Sequence, residues 1–141
     1  MANQFTLLKV PAQIEHLREC TAFIHAAAEK ATFPEMDLDR LDLVMEEVVM
    51  NVINYAYAGE EPGSVEVGYA IEAPGKLSVQ VCDNGREFDP LAKDPPDLRL
   101  GLADRPIGGL GIFLVKQIAR HISYSRDGEK NILTFHIETG Q

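Results

Sequence analysis

The sequence predicts an α+β two-layer sandwich, in which a mixed or antiparallel β-sheet carries three helices on one face. Three observations lead there. Apolar residues recur at helical spacing through the first part of the chain and at a spacing of two further on. The strand-like runs come in pairs joined by turn-forming residues. No strand alternates singly with a helix, as a parallel sheet would require.

Phe5 to Val10 reads as a short strand stopped by Pro11. Ala12 to about Thr32 reads as a helix, with apolar positions Ile14, Leu17, Ala22, Ile24 and Ala28 and the helix-favouring run Ala26-Ala27-Ala28. Pro34 breaks it. A second helix follows from about Leu38 to Tyr57, capped by Asp37 or Asp39, with a buried stripe at Leu41, Val44, Met45, Val48 and Val52. Gly59 and the Glu60-Glu61-Pro62-Gly63 cluster end it. Ser64–Tyr69 and Lys76–Val81 then alternate as strands around an Ala73-Pro74-Gly75 turn. Residues 86–107, with Pro90, Pro95, Pro96 and Pro106, lose all periodicity, and a loop that long in a small domain suggests a lid. A third helix is expected from Gly109 to about His121. A last hairpin joins Ile122–Arg126 to Ile132–Glu138 through Asp127-Gly128-Glu129-Lys130.

With 141 residues and no internal repeat, the chain is expected to be one domain, residues 1–141. A 45% hydrophobic content supports a packed core. The formal net charge of -9 argues against nucleic acid, which needs cationic surface, and against an anionic membrane surface. An acidic protein can still hold a nucleotide through backbone N–H groups and Mg²⁺. Two cysteines, Cys20 and Cys82, make neither a disulfide framework nor a metal spacing. The N-terminus lacks a signal-peptide pattern, and the apolar stretch Ile107–Val115 is too short to span a bilayer. A reduced, cytoplasmic location is the expectation.

Three short stretches could carry chemistry. Glu47 and Asn51 lie four residues apart and share a helix face, which Tyr55 continues. Glu46 is rotated about 100° away from that face. An amide oxygen suits Mg²⁺, and a carboxylate one turn earlier could take a proton from a hydroxyl attacking a phosphate. Common Glu and Asn residues on a solvated helix face would look the same. Asp83-Asn84-Gly85 follows a strand; its carboxylate could accept from an exocyclic amino group beside a glycine that admits a flat ring, or it could be an ordinary turn. Gly108-Gly109-Leu110-Gly111 opens a helix and could present N–H groups to an anion, or act as a hinge. It is neither a Walker A loop, since no Gly-Lys-Ser/Thr follows, nor the dinucleotide fingerprint, since Leu114 stands where the third glycine belongs.

Taken together, in this order and spacing, these stretches resemble the Bergerat, or GHKL, ATP-binding fold of gyrase, heat-shock chaperones, histidine kinases and mismatch-repair proteins. Glu47…Asn51 resembles its N box, Asp83-x-Gly85 its first glycine box and Gly109-x-Gly111 its second. The text EEVVMNVINYAY, DNGREFDP and RPIGGLGIFLVKQIA is similar to the small stand-alone anti-sigma-factor serine kinases of bacteria. The resemblance runs from Phe5 to the end of the chain.

It implies a histidine-kinase-like ATPase fold, with ATP and Mg²⁺ as cofactors and Glu47 as catalytic base. Asn51 would be the metal ligand, and Asp83, flanked by Gly85, would read the adenine amino group. Gly108, Gly109, Leu110 and Gly111 would lie under the phosphates, residues 86–107 would form the lid, and Arg105, Phe88 and Tyr55 would contact the nucleotide. Tyr55 stands where many relatives have His, and Gly128-Glu129-Lys130-Asn131 lacks the Gly-Thr pair frequent in histidine kinases. The 141 residues leave no room for a dimerising phospho-acceptor helix pair upstream, so a free-standing module is the expectation.

The implied function is a serine/threonine protein kinase that phosphorylates a STAS-domain anti-sigma antagonist and sequesters a sigma factor. A PP2C-type phosphatase would act in the same pathway, and relatives suggest a homodimer. A nucleotide-dependent binding module with little turnover, or a histidine-kinase-type ATP domain acting in trans, are the alternatives.

Overall fold

A computed structural model of the chain describes residues 4–57, 63–87, 89, 91 and 115–139. Five strands form one sheet in the order β1-β2-β3-β5-β4: β1 (Thr6–Pro11), β2 (Ser64–Ala73), β3 (Lys76–Asp83), β4 (Ile122–Asp127) and β5 (Lys130–Glu138). All four pairings are antiparallel, which resolves the mixed-or-antiparallel alternative. The helices α1 (Leu17–Lys30) and α2 (Glu35–Asn51) join β1 to β2, and residues 115–118 are helical before β4.

The period-two pattern puts Val65 and Val67 of β2, Leu77, Val79 and Val81 of β3, and Leu133, Phe135 and Ile137 of β5 into the core. Against them pack Cys20, Ile24, Ala27 and Ala28 of α1 and Leu41, Val44, Met45, Val48 and Val49 of α2. Val52 joins them, so every position of the expected stripe on the second helix is buried. Val115 is also buried, which seats the last helical segment on the same core.

Element ends differ from expectation for local reasons. A short 3₁₀ turn, Ile14–His16, precedes α1. The α1 terminus closes with Thr32 N–H donating to Glu29 O and Phe33 N–H to Ala28 O, while Thr32 takes φ 63°. That is a Schellman closure, so the helix ends three residues before Phe33 by its own hydrogen bonds rather than through Pro34 alone. Pro34 is the N-cap of α2, and its carbonyl accepts from the N–H groups of Asp37 and Leu38. Asp37 and Asp39 therefore lie inside the helix and not at its cap; Asp37 instead sits in the first turn, where its charge complements the dipole. The second helix does not run as one α-helix to Tyr57: it changes after Asn51 into a π-helical turn, Val52–Ala56.

Candidate nucleotide site

Two ends of the fold meet at the site. One is the α-to-π junction at Asn51; the other is the turn that leaves β3 at Asp83. They are tied by the Arg86 N–H, which donates to Ala56 O at 3.0 Å. π-Helical turns interrupt helices rarely and cluster where function needs the backbone displaced.

Gly85 explains how close the two ends come. A Cβ added there would stand 2.3 Å from the Ala56 carbonyl oxygen and 2.7 Å from its carbon. The glycine of the Asp-x-Gly stretch is thus required by backbone packing against the π turn. Tyr57 adds a second tie. Its hydroxyl donates to Ser64 O at 2.7 Å and accepts from the Asn84 N–H at 2.8 Å, while its ring occupies the space a side chain at Gly63 would need.

Asn51 is 3% exposed, and among the described residues neither its amide nitrogen nor its amide oxygen has a hydrogen-bond partner. Leaving both ends of a buried carboxamide unpaired costs several kcal/mol at worst, about 1–3 kcal/mol for each group by mutational measures. Such an arrangement persists where something else meets the amide. A hard cation on the oxygen fits this donor set, so the residues present fit a Mg²⁺–nucleotide. Among the described residues there is no cluster of His, Cys, Asp and Glu that could hold a metal by itself. One turn before Asn51, Glu47 is half-buried while Glu46 is exposed. Burial, and secondarily the charge of Glu46, push the Glu47 carboxyl above the usual glutamate range, which brings a base nearer to neutral pH.

Asp83 is 7% exposed. Its Oδ1 accepts from the Gly85 N–H at 2.8 Å and from Asn131 Nδ2 at 2.9 Å. Burial pushes its carboxyl up, while these two donors and the Arg126 charge pull it back. Asn131 and Arg126 are the residues that sequence reading missed as parts of the site. No local signal ties them to it: the β3–β5 register alone sets Asn131, the second residue of the last strand, directly opposite Asp83.

The side chain of Tyr55, and Phe88, Arg105, Gly108, Gly109, Leu110 and Gly111, lie outside the described residues, as does most of the expected lid at 86–107. Of the sequence-derived candidates, the structure describes Glu47, Asn51, Asp83 and Gly85, and it ties their two backbone segments together. Both cysteines are buried, with thiols pushed up to about 11, chiefly by burial.

The family model for the histidine kinase-like ATPase domain matches residues 10–137. The chain belongs to that family. The match spans both the Asn51 and the Asp83 segments. A relative named serine-protein kinase RsbW, from Listeria monocytogenes, is 30% identical over 139 residues, covering 95% of this chain and 88% of its own. Among solved structures, the RsbU and RsbW domains of a Mycobacterium tuberculosis protein superpose with a TM-score of 0.63 at 15% identity. That match covers 94% of this chain and 32% of the solved one. A blue-light activated histidine kinase domain of Erythrobacter litoralis gives a TM-score of 0.57 at 20% identity, covering 86% and 60%. At these identities the structural matches establish the histidine kinase-like ATPase fold, an antiparallel sheet with helices on one face. No described helix is long and apolar enough to cross a membrane.

Proposed function

We propose that this histidine kinase-like ATPase domain is an ATP- and Mg²⁺-dependent serine/threonine protein kinase of the anti-sigma type. The observation that carries the reading is the pair on α2: a buried amide with neither end satisfied among the described residues, and a half-buried carboxylate with a raised pKa one turn before it. Similarity to relatives named serine-protein kinase supports it.

In this reading Asn51 would hold the cation through its amide oxygen, and Asp83 would accept from the adenine amino group. The Mg²⁺ would neutralise charge on the phosphates. Glu47 takes the proton from a serine or threonine hydroxyl of the protein substrate as its oxygen bonds to the γ-phosphorus, and ADP departs. Phe88, Arg105, Gly108, Gly109, Leu110 and Gly111 would complete the nucleotide contacts, Tyr55 would lie alongside, and residues 86–107 would close over them. The substrate is a STAS-domain antagonist. The unphosphorylated antagonist binds the kinase and frees a sigma factor that the kinase otherwise sequesters, and a PP2C-type phosphatase reverses the modification. A cytoplasmic homodimer is the form in which the chain would act.

Incubation with ATP, Mg²⁺ and a STAS-domain protein from a neighbouring reading frame should give phosphoserine or phosphothreonine on that protein. Transfer should vanish with Glu47→Ala while ATP binding remains. Nucleotide-dependent binding without transfer would instead make the chain a binding module, and phosphohistidine on a partner would make it a histidine-kinase-type domain acting in trans.

A further inference from the structure

A helix packed on a core turns its apolar residues inward, and α2 does so with Leu41, Val44, Met45, Val48 and Val49. Met36 and Leu43 do the opposite: they are 67% and 47% exposed. Half-buried Met50 continues their line, since the three stand seven residues apart, which is close to two helical turns. Single exposed apolar residues are ordinary, but a line of them along one helix face marks a contact surface. The line runs past the candidate base. Glu47 lies one turn beyond Leu43 and one turn before Met50, on the edge of the same strip.

The other edge of the strip is acidic. Glu35, Asp39, Asp42 and Glu46 follow one another at helical spacing. Between this row and α1 runs a groove of about 460 Å³, lined in part by His25, Glu29, Asp42, Glu46 and the small residues Ala22 and Ala26. His25 is the one group lining it that can be cationic. Its Nδ1 lies 2.9 Å from Asp42 Oδ1 and its Nε2 3.9 Å from Glu29 Oε1. Glu35, Asp39 and Glu46 have no ion-pair partner among the described residues. Even with the imidazole protonated, the carboxylates of Glu29, Asp42 and Glu46 leave the groove negative.

Charge and shape together choose the occupant. A second copy of this chain, with its formal charge of -9, brings like charge to a negative groove, and nucleic acid does the same. A protein segment with Lys or Arg for the groove and an aliphatic side chain for the strip matches both, and it passes beside Glu47. From Leu43 to Glu47 the helix advances about 6 Å, which an extended segment covers in two residues.

We propose that this face of α2 docks the protein substrate through a cationic stretch. A Lys or Arg enters the α1–α2 groove, an aliphatic residue packs on Met36 and Leu43, and the acceptor Ser or Thr lies two residues from that anchor. The proposal rests on the kinase reading given above and names the class of sequence such a kinase accepts.

The test is a library of Ser and Thr peptides varied at each flanking position, incubated with the unaltered chain, ATP and Mg²⁺ and read by phosphate transfer. Peptides with Lys or Arg next to the acceptor and Leu, Ile or Val two residues away should be favoured about tenfold or more over those with Glu and Ser there. Leu43→Ser should raise KM for the best peptide about tenfold, while kcat and ATP affinity hold. Asp39→Lys should lower the preference for cationic peptides and raise the use of acidic ones. Both positions lie on the exposed face of α2, so each variant keeps the core. Transfer without preference for cationic and aliphatic flanks, an unchanged KM in Leu43→Ser, an unchanged charge preference in Asp39→Lys, or transfer to a STAS-domain protein but to no peptide would overturn the docking proposal and leave the kinase reading standing. No transfer to any peptide or protein, by a chain that binds ATP, would overturn the kinase reading and this with it.

Discussion

Glu47 is where burial and charge are set against folding. Its carboxyl is pushed up first by burial and then by Glu46. A general base works ionised, so activity is present above that pKa and lost as pH falls through it. Glu46→Gln removes the second cause and should move the acidic limb of the pH–rate profile to lower pH. For stability the sign runs the other way. A raised folded-state pKa contributes stability below the unfolded value that is lost as pH rises through the folded one. The ionised Glu47 is therefore a burden at neutral pH, and Glu47→Gln should melt at or above the unaltered temperature. The same variant should lower phosphoryl transfer by about 10²–10⁴-fold while leaving ATP affinity nearly unchanged. Sequence spacing singled out Glu47 over Glu46, and the burial contrast between the two agrees with it. The register pairing of Asn131 with Asp83 was not legible there, because nothing local ties two residues that lie 48 positions apart.

At the scale of elements, two closures can be probed directly. Thr32 adopts φ 63° in the Schellman closure of α1, where a β-branched side chain is strained. Thr32→Gly should raise stability by up to about 1 kcal/mol, less than the full strain because glycine gains freedom in the unfolded chain. Chemical denaturation would show this as a higher midpoint with an unchanged slope. Gly85→Ala works in the opposite sense. Its Cβ meets the Ala56 carbonyl, which is backbone and cannot swing aside, so the variant should lose about 1–3 kcal/mol. It should also weaken ATP binding, because the turn carrying Asp83 must shift. The existence and order of all five strands and of both described long helices were legible from periodicity. Their ends were not: the Schellman closure at Thr32, the Pro34 cap and the π turn after Asn51 are set by hydrogen bonds and core packing that period alone does not encode.

For the whole molecule, one core joins the sheet to the helices, and Phe135 lies fully buried in it. Phe135→Ala should cost about 3–5 kcal/mol, enough to unfold a domain of ordinary stability at modest temperature. Cys20 sits in that core and Cys82 is buried outside it, both with protonated thiols, so a thiol reagent should label neither until the chain unfolds. The architecture was readable because a helical period followed by paired strands admits few packings. The candidate site was readable only as three separated stretches, since ordinary turns and surface helices use the same residues. What joins two of them in space is the contact of Gly85 and Arg86 with Ala56, and what marks one as incomplete is the Asn51 amide, unsatisfied among the described residues. That amide gives the most direct measurement. Calorimetric titration of the unaltered chain with ATP and Mg²⁺ should show binding that weakens about tenfold or more in Asn51→Ala. Equal affinity in the two proteins, or no binding by the unaltered chain, would contradict the assignment of Asn51 to a nucleotide-bound cation.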